Sequence, residues 1–309
     1  MSATVTRPVT LTDAMLVSST APETDYTEWS AATSYTVGNR AMRSVAGVHK
    51  NFENLIAGVN ATLPELATTG ATPRWLDLGA TNRWAMFDSK VGTATVRPLT
   101  LTVVVKPGNI GSVSLLGMMG KTVVVTAKNA TGGTQVYSRT VNLDGTLISS
   151  FYDWFYTDFV QKADLQLNDL PTQYFALEVT ITTTTDFGNV AIGVCHLGKS
   201  TILGEVKNGA GVGIISFAKK VPDVFGNITV FRPVNPNSNR MSLQIILPKT
   251  QFTQVFNTLK SLDAVLCVYS AVSQDGFEPF IVLGFYKDFY ITVEYFTHYA
   301  MTLEIEGVN

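Results

Sequence analysis

Short apolar runs alternate with polar residues along most of this chain, with a period near two rather than 3.6. Leu101–Val105 is apolar and β-branched and stops at Lys106-Pro107-Gly108, a turn signal. Val123–Thr126 closes at Asn129–Gly133, and Gln135–Val141 runs into Asp144-Gly145. Tyr174–Thr185 predicts a half-buried strand with Phe175, Leu177, Val179 and Ile181 on one face. Further strands are expected at Val190–Cys195, Gly213–Phe217, Ile228–Arg232, Met241–Leu247, Ala264–Ser270, Pro279–Phe285, Phe289–Tyr295 and Ala300–Ile305. In the last, Met301, Leu303 and Ile305 should point inward and Thr302, Glu304 and Glu306 outward. Lys287 and Asp288 should mark a bend between two strands, and Phe225-Gly226-Asn227 a turn.

Helical spacing is scarce. Thr250–Leu262 places Phe252, Val255, Phe256 and Leu259 three to four apart and predicts one short helix. The aromatic cluster Ser150–Phe159 suits a turn of helix, a strand or a buried loop equally. The expected fold is mainly β, in three regions. Residues 1–86 hold a small three-stranded module, 87–198 a β-sandwich, and 199–309 a second sandwich-like, β-rich domain with the helix.

Tyr26–Trp84 has few aliphatic residues, so aromatics must supply its core. Tyr35-x-x-Gly38 predicts a turn, and Arg40–Val45 with Val48–Phe52 a hairpin. Trp29, Tyr35, Gly38 and Trp75 follow the pattern of the small chitin-binding type modules of carbohydrate-binding families 5 and 12, which this stretch resembles; Arg40–Met42 matches that pattern loosely. In that family, exposed rings stack on sugars, so the resemblance implies glycan or partner contact through Trp29, Tyr35 and Trp75. The physical alternative places those rings in the core of a docking piece, and fold likeness alone does not decide function.

Leu78–Asp88 contains Gly79-Ala-Thr-Asn82-Arg83-Trp84-Ala-Met86-Phe87-Asp88 and resembles a segment that follows such modules in tail-associated proteins of bacteriophages. Its polar groups Asn82, Arg83 and Asp88 sit among Trp84, Met86 and Phe87, which predicts a partly buried, hydrogen-bonded linker. Val221–Arg232 and Leu283–Gly307 resemble two further stretches of phage virion proteins. These resemblances imply a structural role in a tail, baseplate or neck, with copies of itself and other virion proteins as partners and the virion as its location. The alternative they allow is receptor recognition through a host-surface glycan.

Composition narrows the picture. Only 15% of the 309 residues are charged, fewer than in an average globular domain, so surface is either Thr/Ser/Asn-covered or buried against other chains. A net charge of −2 without basic blocks argues against nucleic acid as a partner. No apolar run approaches a membrane span, and the polar, Thr-rich start lacks the pattern of a signal peptide, so assembly in a bacterial cytoplasm is expected. Cys195 and Cys267 are expected as small buried hydrophobes. Cys195-His196 are strand neighbours facing opposite ways, and His49, His196 and His298 are isolated, so no metal, cofactor or catalytic set is expected. Asp153, Asp158 and Asp164 are read as solvated loop carboxylates rather than a glycosidase pair. Asp186-Phe187-Gly188 and Gly209–Gly213 lack the surroundings of the nucleotide-binding motifs they mimic.

Overall fold

The computed structural model describes residues 2–146, 148–233, 237–272, 276–293 and 297–308. The chain opens with β1 (Ser2–Pro8) and β2 (Leu16–Ser19). The module follows with β3 (Ser34–Tyr35), β4 (Arg40–Arg43), β5 (Lys50–Asn54), β6 (Gly58–Val59) and β7 (Trp75–Ala80). The middle of the chain forms β8 (Thr95–Gly108), β9 (Ser112–Leu116), β10 (Thr122–Lys128), β11 (Gln135–Asn142), α1 (Phe151–Tyr156), β12 (Leu165–Leu167) and β13 (Leu177–Ile192). The last part holds β14 (Val194–Val206), β15 (Gly211–Ser216), β16 (Lys219–Pro222), β17 (Ile228–Phe231), β18 (Asn237–Pro248), α2 (Phe252–Ser261), β19 (Cys267–Ser270), β20 (Ile281–Thr292) and β21 (His298–Gly307). The protein is mainly β, as its alternation predicts.

One five-stranded sheet has the order β11-β10-β13-β8-β2. Its alternating residues Leu101, Val103, Val105, Val123, Val125, Val179 and Ile181 are fully buried. They pack against Val113, Leu115, Cys195 and Leu197 from β9 and β14 of a second sheet, which makes a sandwich. Phe175 departs from the expected pattern. It lies before β13 and is 81% exposed, because the strand starts only at Leu177. β13 also swells around Asp186-Phe187-Gly188, where its register against β8 shifts between Thr184 and Asn189.

The second sheet has nine strands in the order β12-β9-β14-β1-β19-β20-β21-β18-β15, with an additional pairing of β14 to β18. That pairing, Glu205 with Ile246 and Val206 with Ile245, closes a circuit of six strands. Inside it lie Val5, Leu203, Met241, Leu243, Ile245, Met301, Leu303 and Ile305, with Val255, Leu259 and Leu262 from α2 and the residue after it. Closing a sheet on itself is the barrel form of the two-layer packing that buries one face of each strand. α2 is two residues shorter at its start than expected, since Lys249–Gln251 form a tighter 3₁₀ turn first. The two strands expected around Lys287 and Asp288 are one strand, β20, with a register shift between Tyr286 and Asp288; the end of the expected Phe289–Tyr295 run lies outside the described residues.

The expected boundaries meet continuous structure. The division at 198/199 falls inside β14, whose first half belongs to the sandwich and whose second half belongs to the barrel. Gly198 marks the transition. A Cβ there would collide with the carbonyl of Arg7 on β1, so only glycine lets the two strands meet. The first residues of the chain, grouped in sequence with the module, instead supply a barrel strand. Ala3 and Val5 face the barrel core, while Thr6 bonds Ser112 and Gln166 on the other side.

Candidate interaction surfaces

The module is a three-stranded antiparallel sheet, β4-β5-β7, beside the short pair β3–β6. Gly38 at φ +84° makes the expected turn, since that conformation strains any side chain. Trp29, Tyr35 and Trp75 are all buried, together with Ala41 and Phe52. Trp75 meets Tyr35 edge to face at 5.0 Å. The Arg43 guanidinium covers the Trp29 ring at 5.3 Å, and the Tyr35 hydroxyl accepts a hydrogen bond from the Ser30 amide. The glycan or partner contact implied for these three residues needs rings facing solvent, whereas theirs face one another and a core to which Ala41, Val48, Leu63 and Ala67 add only a few aliphatic groups.

Between module and sandwich lies a polar hub built on two carboxylates. Glu23 accepts from the Thr81 hydroxyl at 2.9 Å, and its Oε1 lies 2.7 Å from His49 Nδ1. His49 Nε2 lies 3.1 Å from Asp13 Oδ1, and the imidazole stacks on Trp84 at 4.4 Å. Both ring nitrogens of His49 therefore face carboxylate oxygens. Asp25 accepts from Asn51 and from the Asn82 amide. The Asn82 side chain both accepts from and donates to the backbone of Val96, while Arg83 donates to the Ala21 carbonyl. Asp88 caps its own loop by accepting from Thr93 and Lys90. The linker reading of Asn82, Arg83 and Asp88 thus matches the observed contacts. A shallow groove of about 480 Å³ beside the hub is lined by Asp13, His49, Trp84, Phe87 and Lys90 among others.

The other candidate chemistry is dispersed. Cys195 points into the sandwich core, and burial pushes its thiol up to about 12, where it stays protonated. Next to it, His196 is buried on the opposite face, and burial pulls its imidazole down to about 4. Cys267 is likewise buried and raised to about 12. Asp153 accepts from the Ser149 hydroxyl, which holds its carboxyl below the ordinary range. Asp164 accepts from the Gly117 amide and is raised by burial. Asp158 is exposed. The three aspartates occupy three unlike settings. Among the described residues, no group of three or more His, Cys, Asp or Glu could hold a metal ion, and no helix is long and apolar enough to cross a membrane.

Two features stand out from the frame: the sequence placed a turn and a strand at one and left helix, strand or buried loop open at the other, and pointed to a free surface at neither. The first is a knob. The chain leaves the sandwich after Leu143 and returns at Lys162, and the neck is tied by Gly145 N to Val160 O at 2.8 Å and Lys162 N to Leu143 O at 2.8 Å. Ser150 caps α1 by accepting from the Asp153 amide. α1 carries Phe151, Tyr152, Trp154, Phe155 and Tyr156, and Phe151 is 89% and Trp154 68% exposed. Nothing of this helix is buried. The second is an arm. β16 and β17 pair only with each other, and all eight of their residues are exposed. Gly226 at φ +83° turns the hairpin, and Asp223 accepts from the amides of Phe225 and Asn227, as the Phe225-Gly226-Asn227 turn requires. The tip presents Val224 and Phe225, 95% and 87% exposed. The sequence signal for both was present: apolar residues on every face of a short element, with no neighbour patterned to cover them. No protein-family model matches this chain, and no curated protein matches it either.

Proposed function

We propose that this chain is a structural protein of a bacteriophage particle, placed in the tail, baseplate or neck and acting through protein–protein interfaces. The observation that carries the reading is the pair of apolar projections, knob and arm, held on a continuous β frame. A monomer seldom leaves contiguous apolar surface beyond a few hundred Å² uncovered, whereas assembly proteins cover it with neighbours. The phage-like segments at 78–88, 221–232 and 283–307 supply the kind of assembly. They also fall at structurally separate places: the hub linker, the arm, and the β20–β21 pair of the barrel. Glycan recognition through the module would need rings facing solvent, and those of Trp29, Tyr35 and Trp75 do not. Mass spectrometry of purified, infectious particles tests the reading. The chain should be present at a fixed copy number per particle, and particles that infect without it would end the proposal.

A further inference from the structure

The arm and the knob lie at opposite ends of one long strand line. β12 lies against β9, and β9 against the first residues of β14, with Leu165 beside Leu115 and Leu115 beside Cys195. The knob precedes β12 and so lies beyond the start of β14. At its other end, β14 passes through Lys207, whose amide bonds Gln244 O, and β15 carries on along the same edge of β18 from Ser242 to Asn237. The arm follows β15. Between knob and arm run β14 and β15, on the order of 60 Å of strand at the usual rise per residue.

Their surfaces are complementary. From residue 143 to 161 the knob carries Asp144, Asp153 and Asp158 and no basic residue. The arm carries Lys219, Lys220 and Arg232, none of them in an ion pair among the described residues, and its one acid, Asp223, is consumed within the turn. Cross-strand register puts Lys220 and Val230 on one face of the arm and Lys219 and Phe231 on the other, so each face is apolar with a cation. A two-stranded ribbon that buries neither face is marginal in water, so it calls for a cover. The exposed aromatics of the knob offer roughly 700 Å², close to the ~800 Å² that one partner contributes to a stable interface. Between Ile148, Phe151, Trp154 and Phe155 the knob has an apolar groove of about 430 Å³, able to accept side chains such as those at the arm tip.

We propose that the occupant of the knob is the arm of a second copy of this chain. A site at one end and its complement at the other make a head-to-tail contact, which propagates as a ring or a filament rather than stopping at a two-fold pair. This deepens the assembly role proposed above and rests on it for purpose, but its test uses purified protein without particles, so either can fail alone.

Two variants break one side each: Phe225→Ser with Phe231→Ser on the arm, and Trp154→Ser with Phe155→Ser on the knob. All four residues are exposed, so at concentrations low enough to keep the wild type monomeric, circular dichroism and thermal melting should match it. In sedimentation, the full-length wild type should form oligomers that grow with concentration. Each double variant alone should be a monomer. Their equimolar mixture should give a dimer and nothing longer, since one intact arm meets one intact knob. Lys219→Glu with Lys220→Glu should weaken wild-type association by about tenfold at low salt, and Asp158→Lys in the same chain should recover part of it. A wild type that stays monomeric at every concentration overturns the inference. So does an arm variant that still associates, which would mean knob against knob, or a mixture that stays monomeric. A chain present in particles yet monomeric in solution ends this inference and leaves the assembly reading standing. A self-associating chain absent from particles does the reverse.

Discussion

The module core and the knob are both built from aromatic residues, and they use them in opposite ways. Trp29, Tyr35 and Trp75 close on one another inside three short strands, with edge-to-face and cation–π contacts filling the space. Phe151, Trp154 and Tyr156 stand on a six-residue helix that buries none of them. Composition is nearly the same in the two places; what differs is the backbone behind the rings. In the module, Phe52 and Ala41 on paired strands give the rings a floor. In the knob, the neck at Gly145 and Val160 holds the helix away from the sandwich, so its rings have no floor of their own. Aromatic content marks strong contacts without saying whether they are made within one chain or between chains.

Breaking the module core should have the largest effect. Trp75→Ala removes a fully buried ring and should cost about 3–5 kcal/mol, enough to unfold the module, read as loss of Trp fluorescence shift and of slow hydrogen exchange over residues 40–80. An unchanged exchange pattern would mean that those rings are not the core.

Acid separates the frame from both aromatic groups. His196 is buried neutral in β14, with its folded value near 4 below the ordinary value near 6.5. The unfolded chain takes up the proton first as pH falls, so His196 adds stability in full above about pH 6.5 and loses it progressively toward pH 4, by about 3 kcal/mol in all. In denaturant titrations, the stability of wild type relative to His196→Leu should fall by about 3 kcal/mol between pH 6.5 and 4, and a difference that stays constant with pH would mean that the imidazole is not buried as described.

Cutting the hub should have an intermediate effect. Asn82→Ala deletes both bonds to Val96 and should destabilise the junction by about 1–3 kcal/mol, leaving the module folded but more easily cleaved from the sandwich by limited proteolysis. The smallest effect on stability belongs to the knob. Trp154→Ala should shift unfolding by less than about 0.5 kcal/mol, since exposed side chains contribute little, while it reduces self-association. A large loss of stability there would erase the contrast with Trp75.

The alternation of Leu101, Val103 and Val105, or of Met301, Leu303 and Ile305, was enough to place strands and their inward faces, because burial of one face imposes a period of two. The spacing of Phe252, Val255 and Leu259 likewise located the helix. Asn82, Arg83 and Asp88 announced a hydrogen-bonded linker, since polar groups set among tryptophan and phenylalanine need partners. Local pattern, turn chemistry and the mainly β class were therefore properties of the sequence by itself. The tertiary structure decided how strands far apart in the chain meet. It took Ser2–Pro8 into a barrel that closes through Glu205 and Ile246, and it ran one strand through both halves of the frame at Gly198. It also sorted the aromatics, turning those of the module inward and leaving those of α1 to the solvent. Period and propensity act over a few residues, while closure and exposure depend on contacts between segments separated by a hundred or more, and no window along the chain contains both partners.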